Sequence, residues 1–176
     1  ALVLGGGALA AGGAHALNHY IERDIDSLMR RTRKRPVASG RVSPREALWF
    51  GIALNVVAFV LLTVLVNPLT AALTLSATLF YVFVYTIALK RSTPQNIVIG
   101  GAAGAVPPLA AWAAVTGSVE LPGIYLFAII FFWTPPHFWA LALLMKDDYA
   151  SAGIPMMPVV VSVKETKRQI LLYTFI

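Results

Sequence analysis

The sequence contains no cysteine and few charged residues. Its 176 residues include 14 Lys and Arg and 8 Asp and Glu, together 12% of the chain, where a soluble domain has about a quarter. The absence of cysteine excludes disulfides, iron–sulfur clusters, thiolate zinc sites and a cysteine nucleophile. Apolar residues make up 58% of the chain, which excludes disorder and a pair of soluble domains. Any chemistry must therefore use carboxylates, amides, histidines or a bound cation.

Long uncharged runs predict an all-α, polytopic transmembrane helical bundle. Four runs, 47–66, 69–89, 96–119 and 121–145, reach the roughly 20 residues that about 30 Å of hydrocarbon requires. Residues 1–17 are rich in Gly and Ala and indicate part of a mature helix rather than a signal peptide, and residues 170–176 begin another span. We therefore expect a single transmembrane domain, 1–176, truncated at both ends, with about five spans and the start of a sixth.

A small polar residue followed by proline precedes three of these runs. The pairs are Ser43-Pro44, Asn67-Pro68 and Thr93-Pro94. This order is typical of a helix N-cap followed by the first helical position, and Glu46 is placed to complete a capping box with Ser43. Each pair therefore predicts the start of a helix.

The basic residues all fall on one side of the predicted bundle. Counting crossings places segments 21–46, 90–95 and 146–169 on that side, and these segments hold all 14 Lys and Arg. The positive-inside rule makes this face cytoplasmic, or the matrix face in a mitochondrion. Seven of the eight acidic residues share the same face, which orientation alone does not require. Their presence suggests a site for a polyanion and a cation.

An amide and two carboxylates recur every four residues where the first helix leaves its apolar part. At about 100° per residue, Asn18, Glu22 and Asp26 lie on one helical stripe, whereas Asp24 points elsewhere. Such oxygen ligands suit a hard divalent cation like Mg²⁺, completed by substrate phosphates. The alternative is a polar helix end whose acids pair with nearby arginines, and the residues alone leave both interpretations open.

Three loops on the same face supply further charged groups. Residues 30–41 form a basic run, Lys90 and Arg91 follow the run 69–89, and Asp147 and Asp148 follow the run 121–145. Lysine and arginine donors suit phosphate oxygens. A cation bridged between carboxylates and a diphosphate, with basic groups neutralising the remaining charge, fits this set.

Five segments of the chain resemble the UbiA family of intramembrane prenyltransferases. They are NHYIERDID (18–26), RTRKRPVASGRVSP (31–44), KRSTPQNIVIGGAAGAVPP (90–108), TPPHFWALAL (134–143) and DYASAGIPMMP (148–158). The last three are similar to the branch of the family that farnesylates heme B. The resemblance implies a helical bundle of which this chain supplies the second to the sixth helix and the start of the seventh.

The same resemblance implies an activity and partners. The activity is transfer of a farnesyl group from farnesyl diphosphate to a vinyl group of heme B, giving heme O and diphosphate. The implied partners are these two substrates, membrane lipid, and heme A synthase or a terminal oxidase assembly, with no nucleic acid. The implied location is the bacterial inner membrane, with the basic loops cytoplasmic.

The resemblance implies a role for each residue that stands at a motif position of the family. It implies catalytic, Mg²⁺-binding roles for four residues, Asn18, Glu22, Asp26 and Asp148. It implies diphosphate binding for three basic residues, Arg35, Lys90 and Arg91. The second acidic motif of the family is incomplete, because Leu144 stands where an acid would precede Asp148.

Two other functions remain open at this stage. One is prenylation of another lipophilic acceptor, such as a quinone precursor. The other is a small secondary transporter, which also has broken helices and charged groups in its cavity. A transporter predicts ionisable groups near the middle of the bilayer on several helices, whereas the acids here cluster at one face.

His137 follows Pro135-Pro136 inside an apolar run, where an ionisable residue is a functional candidate by default. One interpretation is a contact with the heme. The other is a neutral imidazole bonded to a backbone carbonyl that the prolines leave free.

Glycine-rich stretches occur at 5–7, 12–13 and 100–104. No strand precedes them and no Gly-Lys-Ser/Thr follows, so a nucleotide-binding loop is rejected. We expect close helix packing through these small residues instead.

Overall fold

The computed structural model describes all 176 residues, and every regular element in it is helical. The elements are α1 (Leu2–Ile21), α2 (Arg23–Leu28), α3 (Pro44–Leu65), α4 (Pro68–Leu79), a π-helical segment (Phe80–Leu89), α5 (Asn96–Thr116), α6 (Leu121–Leu144), α7 (Lys146–Ser151), α8 (Met157–Val160) and α9 (Val163–Thr174). The predicted all-α bundle is confirmed.

Four helical rods are long and apolar enough to cross a membrane. They are α3, the continuous rod Pro68–Leu89, α5 and α6, and they coincide with the four predicted runs to within a few residues. Helix α1 has 20 residues, but its Gly/Ala composition leaves it outside this group. The rods expose many large apolar side chains, as expected of helices that face lipid rather than water.

Close approach through glycine is confirmed at some of the predicted positions. A Cβ on Gly6 would lie 2.6 Å from the Leu62 side chain, and a Cβ on Gly13 would lie 2.8 Å from the Gly51 carbonyl oxygen. These contacts let α1 pack along α3. The packing prediction is wrong for Gly5, Gly7 and Gly104, because a Cβ there would meet no atom within 4 Å.

Two of the three predicted helix starts are confirmed. The Ser43 hydroxyl accepts from the Glu46 N–H at 3.2 Å, and the Glu46 carboxylate accepts from the Ser43 N–H at 2.8 Å, which closes the capping box of α3. The Asn67 side chain accepts from the Thr70 N–H at 2.8 Å and caps α4.

The third start is wrong, because α5 begins at Asn96 rather than at Thr93-Pro94. The Thr93 hydroxyl accepts from the Gln95 N–H at 3.2 Å, and the Asn96 side chain donates to the Thr93 carbonyl at 2.6 Å. Thr93 therefore closes a turn ahead of the helix.

Two features depart from the expected span pattern. The last ten residues of the second rod are wound as a π-helix, so the Lys90 N–H donates to the Tyr85 carbonyl, five residues back, at 2.9 Å. Helix α9 begins at Val163, well before residue 170, because Ser162 caps it by accepting from the Glu165 N–H at 3.1 Å. The first turns of α9 are charged, so no apolar run marks them in the sequence.

Candidate cation and diphosphate site

The predicted stripe of oxygen ligands is present as one buried face. The helix is irregular at Glu22, which lies between α1 and α2. Hydrogen bonds four residues apart nevertheless continue through it, from the Glu22 N–H to the Asn18 carbonyl and from the Asp26 N–H to the Glu22 carbonyl, both at 2.8 Å. Asn18, Glu22 and Asp26 are at most 2% exposed. The Asp24 side chain points to the other side and is 58% exposed, as the helical period predicts.

The three stripe side chains converge on one nitrogen of Arg35. Its Nη1 lies 2.8 and 2.9 Å from the two carboxylate oxygens of Asp26. The same nitrogen lies 3.4 Å from Asn18 Oδ1 and 4.0 Å from Glu22 Oε2. A positive group therefore lies within 4.0 Å of oxygens of all three side chains and closest to those of Asp26.

Lys90 neutralises the remaining carboxylate of the stripe. Its Nζ lies 2.5 Å from Glu22 Oε1 and 2.6 Å from Oε2, and its side chain is 14% exposed. Burial lowers the pKa of Lys90, and the Glu22 carboxylate acts in the opposite direction. Both oxygens of Glu22 therefore face the Lys90 ammonium, and Oε2 accepts its hydrogen bond.

Arg91 is not gathered into this cluster. It donates two hydrogen bonds of 2.7 Å to the Asp24 carboxylate on the outer side of the helix. These hydrogen bonds hold the pKa of Asp24 below its usual range. The pair joins the end of the second rod to α2, and a diphosphate-binding role for Arg91 stays a prediction.

Asp148 also lies apart from the stripe. Its Oδ2 accepts from the Arg31 N–H at 3.2 Å, which ties the basic loop to α7. No three acidic or histidine side chains lie close enough together to hold a metal ion. The structure therefore brings three of the four predicted ligands together, and the role of Asp148 stays a prediction.

His137 lies on α6, away from the charged cluster. Its ring stacks on Trp133 with ring centroids 4.4 Å apart and meets Phe138 edge to face at 5.3 Å. Helix α6 continues through Pro135 and Pro136. The imidazole therefore contacts aromatic rings in a partly buried position, and its contact with heme stays a prediction.

The π-helical segment contributes neighbours that the sequence did not single out. The Asn18 amide donates to the Thr86 hydroxyl at 3.4 Å. The Tyr85 ring stacks on Tyr81 at 5.5 Å, and Lys90 Nζ lies 5.8 Å from the centre of the Tyr85 ring. The sequence signal for Thr86 is its position four residues before Lys90. Nothing in the composition indicates the π-helical winding that brings Thr86, Tyr85 and Lys90 to this site.

An apolar cavity of about 550 Å³ opens beside the cluster, between α1, α5 and the second rod. Small residues of α1 and α5 line it, including Gly7, Ala11 and Gly104, and no charged residue does. Its polar lining includes His15 and Tyr81, whose rings are 6.4 Å apart. His15 is about one helical turn from Asn18, so this end of the cavity lies near the charged cluster.

The fold and this site can be compared with known proteins. Residues 1–176 match the sequence model of the UbiA prenyltransferase family, and the chain belongs to that family. The family resemblance seen in the sequence is thus confirmed. The chain is similar to a UbiA homologue from Archaeoglobus fulgidus whose structure was solved bound to DMAPP and Mg²⁺, with a TM-score of 0.75, 19% identity and coverage of 98% of this chain and 61% of that one. At this identity the likeness shows the fold.

Several curated relatives are named protoheme IX farnesyltransferase. The protein from Rhodopseudomonas palustris is 60% identical over 169 residues, which are 96% of this chain and 54% of the relative. The protein from Azorhizobium caulinodans is 59% identical over 167 residues, 95% of this chain and 54% of the relative. The protein from Parafrankia sp. is 53% identical over 176 residues, 100% of this chain and 56% of the relative. The chain spans about half the length of these relatives.

Proposed function

We propose that the protein containing this chain adds a farnesyl group from farnesyl diphosphate and the hydroxyl of one water across a vinyl group of heme B, giving heme O, diphosphate and a proton. The observation that carries the proposal is that oxygens of Asn18, Glu22 and Asp26 surround one cationic nitrogen, about one helical turn from the lining of an apolar cavity. The names of the relatives support heme B as the acceptor. Membership of a prenyltransferase family argues against the transporter alternative.

The donor set fits Mg²⁺. All three side chains offer hard oxygen ligands, and all three are buried on one face of the helix. When bound, Mg²⁺ would neutralise the diphosphate and make it a better leaving group. Asn18, Glu22 and Asp26 are the residues that would hold it.

The basic side chains act on the anion. Arg35 carries a planar fork of donors that suits phosphate oxygens, and Lys90 carries a compact charge beside it. Both take up negative charge as the carbon–oxygen bond to diphosphate breaks, and such preorganised charges favour a transition state in which charge develops. The cavity beside His15 and Tyr81 receives the farnesyl chain and keeps bulk water from the allylic carbon.

A product analysis tests this function. The full-length protein is incubated with heme B, farnesyl diphosphate and Mg²⁺, and the hemes are extracted and identified by mass. We expect heme O and an equal amount of diphosphate. A parallel incubation with an aromatic quinone precursor should give no prenylated product. Prenylation of the quinone precursor with heme B left unchanged would replace the proposed acceptor.

The four apolar rods and the family make this an integral membrane protein. We propose further that it resides in a bacterial inner membrane with the basic loops cytoplasmic, and that heme A synthase or a terminal oxidase assembly receives its product.

The absence of cysteine in this chain allows a direct test of orientation. In a cysteine-free full-length background, Ser39→Cys should react with an impermeant maleimide in inverted vesicles only. Val119→Cys, in the opposite turn, should react in spheroplasts only, and the reverse pattern would invert the orientation.

A further inference from the structure

Arg35 occupies the position that a cation held by the stripe residues would take. Its Nη1 is within 4.0 Å of an oxygen of each of the three stripe residues, and it is shared by both oxygens of Asp26. The oxygen donors lie on α1 and α2, whereas Arg35 approaches from the loop between α2 and α3. The loop thus places one positive charge among donors that the helices hold fixed.

A divalent cation and this guanidinium cannot share the position, because both are positive and both require the same oxygen lone pairs. Entry of the cation therefore requires Arg35 to leave, and an arginine that leaves a buried carboxylate needs another anion. Lys90 is in the same situation, because its ammonium is buried against Glu22. The diphosphate of a prenyl substrate is an anion that can receive both groups.

The converse also holds. A diphosphate that arrives alone finds both basic side chains engaged, with Arg35 on Asp26 and Lys90 on Glu22. It can bind them only if something else neutralises the two carboxylates, and a divalent cation does so. The cation therefore frees Arg35 and Lys90 to bind the diphosphate, and the diphosphate frees the two carboxylates to bind the cation.

We propose that Arg35 is a placeholder for the cation and that it makes the binding of cation and diphosphate mutually dependent. The exchange moves the two carboxylates from Arg35 and Lys90 to the cation, and moves Arg35 and Lys90 to phosphate oxygens, without covalent change. The inference rests on the proposed function for the identity of the anion. It differs from a simple diphosphate-binding role for Arg35, which predicts no effect on cation binding in the absence of diphosphate.

The test measures cation binding directly, with Mn²⁺ in place of Mg²⁺ so that free Mn²⁺ is counted by electron paramagnetic resonance. The full-length protein in lipid nanodiscs is titrated with and without a non-hydrolysable farnesyl diphosphate analogue. In the wild type we expect weak Mn²⁺ binding that the analogue tightens at least tenfold. By linkage, Mn²⁺ should tighten binding of the analogue by the same factor.

Arg35→Gln removes the placeholder. We expect Mn²⁺ alone to bind at least fivefold more tightly than to the wild type, while the analogue binds more weakly and the mutual enhancement shrinks. Arg33→Gln is the matched control, because Arg33 is an exposed arginine of the same loop, and it should behave like the wild type. Equal or weaker Mn²⁺ binding to Arg35→Gln in the absence of the analogue would overturn the proposal.

Loss of Arg35 leaves the buried Asp26 carboxylate without its partner, so the variant is also followed by thermal unfolding. Mn²⁺ alone should raise the melting temperature of Arg35→Gln more than that of the wild type, and Arg35→Lys should restore the wild-type response. A melting temperature of Arg35→Gln that does not respond to Mn²⁺ would count against the placeholder. These measurements use no heme, so intact mutual dependence without heme O formation would reject the acceptor and leave this inference standing.

Discussion

The ammonium of Lys90 lies 2.5 and 2.6 Å from the two carboxylate oxygens of Glu22. This contact joins the end of the π-helical segment to the end of α1, across 68 residues of sequence. Both side chains are largely buried. Removal of either partner therefore leaves an uncompensated charge inside the protein.

Glu22→Gln should lower the free energy of unfolding by about 3–5 kcal/mol, because a buried pair is costly to break from one side. The double variant Glu22→Gln/Lys90→Met should recover most of that loss, since both charges are then gone. Thermal unfolding of the two variants in the same detergent measures the difference. A double variant no more stable than Glu22→Gln would show that the loss of stability does not come from the unpaired charge of Lys90.

Asp26→Asn should retain membrane insertion and lower turnover by about 100-fold, because it removes charge from the cation site without changing side-chain size. Asp24→Asn is the matched control. Its carboxylate pairs with Arg91 on the exposed side of the helix, and its loss should leave turnover within about threefold of the wild type, as expected for a surface ion pair. Initial rates at saturating Mg²⁺ make the comparison, and equal losses in the two variants would contradict the assignment of the buried face.

His137→Ala should weaken heme B binding and leave the affinity for a farnesyl diphosphate analogue unchanged, because the imidazole lies on α6 away from Arg35 and Lys90. Phe138→Leu, which removes only the edge contact to the imidazole, serves as the control and should bind heme B normally. Heme B is titrated by absorbance and the analogue by calorimetry. Unchanged heme affinity, with a stability loss of about 1 kcal/mol from the lost Trp133 stacking, would assign His137 a structural role.

Gly7→Leu should shift the substrate preference from farnesyl toward geranyl diphosphate by about tenfold, because the new side chain fills part of the apolar cavity and small changes in such pockets discriminate by this amount. Gly5→Leu is the control, since Gly5 also has no atom within 4 Å of an added Cβ and does not line the cavity. Ratios of kcat/KM for the two diphosphates provide the readout. A ratio that is equal in the two variants would place the farnesyl chain elsewhere.

The parts of the structure that depend on local periodicity could be predicted from the sequence. The rods follow from apolar runs, the starts at Ser43 and Asn67 from side-chain capping, and the common face of Asn18 and Asp26 from the helical period. Thr93 shows the limit of this approach. Its sequence resembles a cap, but a hydrogen bond from the Asn96 side chain closes a turn instead.

The parts that depend on contacts distant in sequence could not be predicted. Both lysine and arginine of the pair at 90 and 91 were expected to bind diphosphate, yet Lys90 meets Glu22 and Arg91 meets Asp24 on opposite sides of the helix end. Which side each takes depends on how the second rod ends relative to α1. The position of Arg35 likewise depends on the path of a loop that has no periodic pattern.

The π-helical segment makes the second rod sensitive to length in a way that its apolar composition does not reveal. Deleting one residue between Phe80 and Leu89 would leave the rod long enough to cross the bilayer. It would also turn everything after the deletion by roughly a quarter of a turn relative to the residues before it. Lys90 would then swing away from Glu22, and a deletion ahead of Thr86 would also move its hydroxyl away from Asn18. Among homologues that keep this site, we therefore expect many substitutions but no insertions or deletions between Phe80 and Leu89.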